Sequence, residues 1–184
     1  MRPGGVIKAI CLCLALVCSS AAQMQAQTAE PPYVNSFYTL DATGRILPLE
    51  RETATFHART KALPGYASVK VLAQLKPGRS AVRVEGNAAQ FFVRGRAPVD
   101  PSTRYELRAL KRSKDHREFV MNRGHGTLVG GAAASSLDEG TIPIRIQEYG
   151  ESSYRITPAQ ALAAGEYALA LRGVVAELYC FGVD

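Results

Sequence analysis

Short stretches in which apolar and polar residues alternate recur along the chain, and this pattern constrains the fold more than any other feature. In the clearest stretch, Ile142, Ile144 and Ile146 alternate with Arg145 and Gln147. A period of two places successive side chains on opposite faces of a β-strand. About ten such stretches are separated by turn residues, and no stretch keeps a helical period beyond one or two turns. The sequence therefore predicts an all-β, antiparallel sandwich or barrel.

One pair of these stretches predicts a charged hairpin in the middle of the chain. Residues 104–110 place Tyr105 and Leu107 on one face and arginine or glutamate on the other, and residues 117–122 return after a charged loop. In a strand with one face in the core, the apolar positions point inward and the charged positions point to solvent. We therefore expect Glu106 and Arg108 on the outside of this hairpin.

The N-terminus has the three parts of a secretory signal peptide. Arg2 and Lys8 form a short basic start, residues 9–18 are wholly apolar, and Ser20 and Ala22 supply small residues for cleavage after position 22. As a helix, ten apolar residues span about 15 Å, roughly half of a hydrocarbon core. The pattern therefore predicts a cleaved signal-peptide helix over residues 1–22 and export to the periplasm or the medium.

Cleavage after position 22 would change the net charge and the cysteine count of the remaining chain. The full chain has 184 residues, a net charge of +6 and four cysteines, and removal of residues 1–22 leaves a net charge of +4 and Cys180 alone. A single cysteine cannot form an internal disulfide. Residues 23–32 are polar, end in two prolines and are predicted to be a flexible leader. Residues 33–184 then form one domain, long enough to bury a core and without a membrane-spanning apolar stretch.

Residues 162–169 resemble a local motif of the immunoglobulin-like sandwiches. In that motif a Leu and a Gly precede a Tyr at the start of a strand, as Leu162, Gly165 and Tyr167 do here. The resemblance implies an immunoglobulin-like β-sandwich in which the Tyr hydroxyl bonds to a backbone group upstream, the contact called a tyrosine corner. An ordinary glycine turn before a strand is the alternative.

The C-terminal part of the chain resembles the end of exported bacterial proteins of unassigned function. Those proteins share a "P-G-E-Y-A" turn and a terminal "F-G-V/I-D" strand, and this chain has Ala164 in place of the Pro and Phe181-Gly182-Val183-Asp184 at the end. The resemblance implies an exported β-domain. It transfers no catalytic residue to this chain.

The basic residues between positions 94 and 123 give the most distinctive surface prediction. Nine basic and four acidic side chains lie in this stretch. Such a patch could bind an anionic envelope component, or another envelope protein. The alternative is a solvated hairpin whose lysines and arginines protect an edge strand. Export and the inward position of Tyr105 argue against nucleic acid. The candidate polyanion contacts are Arg104, Arg108, Lys111, Arg112, Lys114 and Arg117.

Motifs for catalysis or cofactor binding are weak in this sequence. The three histidines have no ligand-like spacing, and there is no Gly-x-Ser-x-Gly elbow. Cys180 lies between Tyr179 and Phe181, where a small core residue is the usual role. The glycine- and alanine-rich run 124–136 is predicted to be a loop between strands, with a ligand lid as the alternative. We therefore expect no metal, no cofactor and no enzymatic activity.

These observations favour an exported, non-catalytic binding or structural β-sandwich protein of the bacterial envelope or the secreted fraction. Two alternatives stay open. One is a small outer-membrane β-barrel, which would need longer strands and aromatic girdles. The other is an enzyme whose site is built from loop residues around His125, Asp138 and Glu139.

Overall fold

The computed structural model describes residues 30–95, 100–127, 132–136 and 140–184. These residues form β-strands and a single 3₁₀ turn, Pro101–Thr103, so the predicted antiparallel all-β fold is confirmed. The strands are Phe37–Leu40 (β1), Ile46–Pro48 (β2), Glu50–Thr53 (β3), Thr55–Leu63 (β4), Tyr66–Leu75 (β5), Arg83–Val84 (β6), Phe91–Arg94 (β7), Tyr105–Arg112 (β8), Arg117–Thr127 (β9), Ala132–Ser136 (β10), Thr141–Ile142 (β11), Ile144–Glu148 (β12), Ser153–Pro158 (β13), Gly165–Leu171 (β14) and Glu177–Val183 (β15).

The strands form two hydrogen-bonded sheets. The smaller sheet has the order β12-β13-β7-β1-β2, and the larger has the order β3-β15-β14-β8-β9-β5-β4, with β6, β10 and β11 attached at its sides. Neighbouring strands are antiparallel, except that β6 runs parallel to β15. Most neighbours in these sheets are distant in the sequence, so the fold depends on long-range pairing.

The larger sheet divides where β8 meets β9. These two strands pair only next to the turn that joins them, where Lys111 lies opposite Glu118 and Arg112 opposite Arg117. Beyond that point β8 continues beside β14 and β9 continues beside β5. We call the part with β3, β6, β8, β11, β14 and β15 the central sheet, and the part with β4, β5, β9 and β10 the outer sheet.

The first core joins the smaller sheet to one face of the central sheet. It is rich in aromatic rings: Phe91 and Phe181 have centroids 4.5 Å apart, and Phe37 meets Tyr105 edge-on at 5.6 Å. Leu107 and Leu169 of the central sheet are also fully buried there. The alternating apolar residues of β8, β14 and β15 supply this face, as the period of two predicts.

The second core lies on the opposite face of the central sheet. It uses the residues of β14 and β15 that alternate with those of the first core, among them Ala168, Ala170 and Cys180. The base of the outer sheet covers them with Leu75 and Phe119. Because a strand buried on both faces needs a layer on each side, the central sheet is the middle of three layers.

The outer sheet extends beyond the second core. All nine residues of β4 are exposed, so both faces of this strand meet solvent. Its partner β5 is buried only near its end, at Leu72, Ala73 and Leu75, although its alternation predicts one covered face throughout. Pro64 and Gly65 connect the two strands, and Gly65 has a φ of 79°, which favours glycine.

Three local predictions have different outcomes. Residues 158–164, where the sequence allows at most one or two helical turns, contain no helix. The run 124–136 was predicted to be a loop, and this is wrong for its described residues: β9 continues to Thr127, and β10 pairs with it. The predicted signal peptide, 1–22, and most of the leader lie outside the described residues.

Candidate functional site

The six predicted polyanion contacts do not form one surface. Lys111, Arg112 and Lys114 are exposed at the end of the β8–β9 hairpin. Arg104 is half-buried and donates a hydrogen bond to Asn35 Oδ1 at 2.9 Å. The remaining two, Arg108 and Arg117, are buried, so the prediction that they face a ligand in solvent is corrected.

Arg108 lies against the second core. Its Nε and Nη2 donate to the two carboxylate oxygens of Glu106 at 3.1 and 3.2 Å. Its guanidinium lies 5.3 Å from the centre of the Phe119 ring. The alternation correctly predicts that Glu106 and Arg108 share one face of β8, but the outer sheet covers that face. The pair is therefore a buried ion pair with a cation–π contact.

Arg117 is fully buried between two carboxylates. It reaches Glu50 Oε2 at 3.4 and 3.5 Å through its two terminal nitrogens, and Nη1 lies 3.5 Å from Glu166 Oε2. Glu166 is itself buried and accepts the backbone N–H of Ser80 at 2.9 Å. These carboxylates balance the charge of Arg117, which explains how a guanidinium is tolerated at 0% exposure.

The turn at residues 76–79 adds basic residues to the exposed end of the hairpin. A side chain at Gly78 would lie 3.0 Å from the backbone oxygens of Ser113 and Lys114, so this turn packs directly on the hairpin loop. The contact brings Lys76 and Arg79 beside it. We call the end of the molecule formed by Lys76, Arg79, Arg83, Lys111, Arg112 and Lys114 the basic end.

A cleft of about 610 Å³ opens at the basic end. Three arginines, Arg79, Arg83 and Arg112, line it together with the carboxylates of Glu166 and Asp184. Leu110 and Val183 supply part of its apolar wall. The excess of guanidinium groups makes the cleft suited to an anion.

Arg83 organises the charges in this cleft. Its Nη1 donates to Glu166 Oε1 at 2.7 Å, while Nε and Nη2 hold the Asp184 carboxylate at 3.1 and 2.6 Å. Arg79 Nη2 donates to Asp184 Oδ1 at 2.6 Å, and Arg83 Nη2 donates to the same oxygen. The hydrogen bond from Arg83 lowers the pKa of Asp184 below its ordinary value. Gly182 makes room for this arrangement, because a Cβ there would collide with the Arg83 guanidinium.

Sequence reasoning missed Arg79 and Arg83 as site residues. They lie in a turn and in a two-residue strand, outside the basic stretch 94–123, and they meet Asp184 only because β6 pairs with the last strand. The turn signal at Lys76-Pro77-Gly78-Arg79 was visible in the sequence. Its contact with the β8–β9 hairpin depends on long-range packing, and no local pattern gives it.

Only one of the three residues of the alternative enzyme site lies within the residues that the structure describes. His125 lies in β9, opposite Ser68 and Ala133, and Asp138 and Glu139 lie outside the described residues. Within the described ranges no group of three or more His, Cys, Asp or Glu side chains is arranged to hold a metal ion. Cys180 is fully buried, as predicted for a core residue, and burial raises the pKa of its thiol to about 12.

Comparison with protein-family models, with curated proteins and with solved structures found no match to this chain. In the part of the chain that the structure describes, no helix is long and apolar enough to cross a membrane.

Proposed function

We propose that this chain is an exported, non-catalytic binding protein whose basic end contacts an anionic component of the bacterial envelope. Export rests on the sequence of residues 1–22, with its basic start, apolar run and small-residue cleavage site. The absence of a cofactor and of a catalytic role is part of the same proposal.

An immunoglobulin-like architecture is the fold that we propose for the body. The order β1-β7-β13-β12 in one sheet and β15-β14-β8 in the other correspond to the ABED and GFC strand orders of such sandwiches. The Tyr167 hydroxyl donates to the Ala163 carbonyl at 2.7 Å, the upstream backbone contact that a tyrosine corner requires. The outer sheet is then an addition inserted after β3 and after β8.

The observation that carries the binding proposal is the convergence of basic side chains at one end of the fold. Lys111, Arg112 and Lys114 come from the β8–β9 hairpin, and Lys76 and Arg79 come from a turn packed against it. Two segments far apart in the sequence thus present one exposed, positively charged surface. Such a surface attracts polyanions through long-range forces that salt screens.

The test compares two triple variants with the same change of charge. Lys111→Glu, Arg112→Glu and Lys114→Glu reverse the charges that the hairpin contributes to the basic end, whereas Lys61→Glu, Arg145→Glu and Arg172→Glu act on exposed basic residues elsewhere. The probes are immobilised dextran sulfate and phosphatidylglycerol vesicles, with phosphatidylcholine vesicles as the uncharged reference. At about 1 kcal/mol for each basic residue near an anionic surface, loss of three positive charges alone should weaken binding by at least about 100-fold.

The wild-type protein should also lose affinity as salt is raised, and the hairpin variant should show a flatter dependence. Equal loss in both triple variants would show a general charge effect and would contradict a defined basic end. Wild-type binding that does not distinguish the anionic probes from phosphatidylcholine would contradict the proposal altogether.

A further inference from the structure

We propose that the cleft between Arg79, Arg83 and Arg112 binds a single dianionic phosphate group, and that the Asp184 carboxylate fills the site in its absence. This inference rests on the proposed function, because the cleft belongs to the basic end. It goes further in naming one site, one charge type and a competing group within the protein.

Asp184 shows that an oxyanion fits between the arginines. Its two oxygens accept three guanidinium hydrogen bonds, of which two are 2.6 Å and one is 3.1 Å long. Such short, charge-assisted bonds are the ones that arginine forms with carboxylates and phosphates alike. The Asp184 side chain is nevertheless 65% exposed, so it occupies an open position from which another anion can displace it.

Arg83 is fixed from behind, which keeps the site in place when Asp184 leaves. The side chain of Glu166 is 3% exposed and holds Arg83 Nη1 at 2.7 Å. Glu166 is held in turn by the Ser80 backbone N–H at 2.9 Å and by Arg117. The remaining Nε and Nη2 of Arg83 therefore point toward the Asp184 position as a prepared fork.

Arg112 supplies a positive charge that the cleft does not use internally. It lines the cleft and is exposed, and its own strand partner is another arginine, Arg117. With Asp184 displaced, the three arginines carry three positive charges, and Glu166 offsets one of them. The remaining excess of two matches a phosphate monoester or inorganic phosphate better than a single carboxylate.

The binding equilibrium then depends on competition between the phosphate and Asp184. When a group of the protein occupies the site, an external ligand binds only the molecules in which the site is open. The apparent association constant is then the intrinsic one multiplied by the fraction of open molecules. Removing the charge of Asp184 should free the arginines and also remove repulsion of the incoming anion. Removing Arg112 should weaken phosphate binding without disturbing the Arg83–Glu166 pair.

The experiment is titration calorimetry of the folded protein with inorganic phosphate, at constant ionic strength set by sodium chloride. We expect Asp184→Asn to bind phosphate about tenfold more tightly than the wild type, and Arg112→Gln about tenfold more weakly. Arg145→Gln, an exposed arginine on β12, is the matched control and should bind as the wild type does. Acetate should bind more weakly than phosphate to every one of these proteins.

A second arm distinguishes free phosphate from a phosphorylated envelope group. Vesicles of phosphatidic acid carry a phosphate monoester, and inorganic phosphate should compete with them if the natural ligand is a headgroup. Binding of inorganic phosphate without binding of these vesicles would identify a free ion as the ligand. Both results support the site.

The inference is overturned if Asp184→Asn binds phosphate no more tightly than the wild type, or if Arg112→Gln binds it equally well. A melting temperature measured for each variant separates loss of folding from loss of binding. If the phosphate effects are missing while dextran sulfate binding still depends on Lys111, Arg112 and Lys114, only this inference fails. If that dependence is also missing, the proposed function fails with it.

Discussion

The two faces of the central sheet are packed in opposite ways. The first core is built from large rings such as Phe37, Phe91 and Phe181, which fill the space toward the smaller sheet. The second core is built largely from small residues such as Ala168 and Ala170. Small residues let the outer sheet lie close, and this close cover takes neighbouring charged residues out of solvent.

This difference explains where the buried charges are. Glu106, Arg108, Arg117 and Glu166 belong to the face of the larger sheet that the second core uses, and each is at most 9% exposed. Glu118 is also buried, but it alternates with Arg117 and Phe119 and so lies on the opposite face of β9. Among the described residues, no buried charged side chain of β8, β14 or β15 lies on the face that packs into the first core. One face of the same strands thus depends on apolar area, and the other depends on ion pairs that must stay complete.

The largest expected effect separates two adjacent residues of β15 that face different cores. Phe181→Ala removes a fully buried ring that contacts Phe91 and Tyr167, and should lower the free energy of unfolding by about 3–5 kcal/mol. Cys180→Ala removes one sulfur from the second core and should cost roughly 1 kcal/mol. Urea unfolding of both variants measures the contrast, and equal losses would show that the two cores do not differ.

An intermediate effect is expected for the Glu106–Arg108 pair. Arg108→Met leaves the Glu106 carboxylate buried without its partner and should cost about 3 kcal/mol, because an uncompensated buried charge is strongly unfavourable. Combining it with Glu106→Leu should recover most of that loss. The same urea experiment tests both variants. A double variant as unstable as Arg108→Met would mean that the pair contributes its own net stability.

The outcome for Arg108 also shows what alternation in a sequence can and cannot predict. Ile144, Ile146 and Tyr105 lie on the inner faces that the period of two indicates, because local sterics alone set which side chains share a face. The same period places Glu106 and Arg108 on a common face, and their polarity predicts that this face meets solvent. Whether a second layer covers that face depends on β5 and β9, which the sequence around Arg108 does not indicate.

The candidate site follows the same rule. The basic hairpin residues Lys111, Arg112 and Lys114 could be predicted as exposed, since they lie at a turn. Arg83 could not be placed with them, because its partners Glu166 and Asp184 lie on β14 and just after β15. Sequence proximity identified part of the basic end, and long-range strand pairing supplied the cleft.

The smallest expected effect is a pH dependence at the polar margin of the outer sheet. His116 Nδ1 lies 2.8 Å from Asp115 Oδ1, and this contact, with Glu118 nearby, raises the pKa of His116 above its ordinary value of 6.5. A raised histidine pKa stabilises the folded protein at pH values below 6.5, and this contribution disappears as the pH rises through the folded-state pKa.

Unfolding in urea at about pH 6 and about pH 8.5 should therefore show a loss of stability at the higher pH that His116→Gln does not share. Asp115 and Glu118 have lowered pKa values and contribute stability at all these pH values, so they do not confuse the comparison. An identical pH dependence in the variant would show that His116 does not titrate with folding.

The β4–β5 hairpin also has a consequence for the order in which the chain assembles. Its strands are joined by two residues, whereas β15 pairs Glu177 with Thr53 across most of the sequence. Short loops close within microseconds and long ones more slowly. The hairpin is therefore expected to form while the central sheet is still incomplete. During that interval Arg59 and Lys61 place positive charges on β4, whose outer edge has no partner strand in the described sheet, and such charges discourage pairing with other chains.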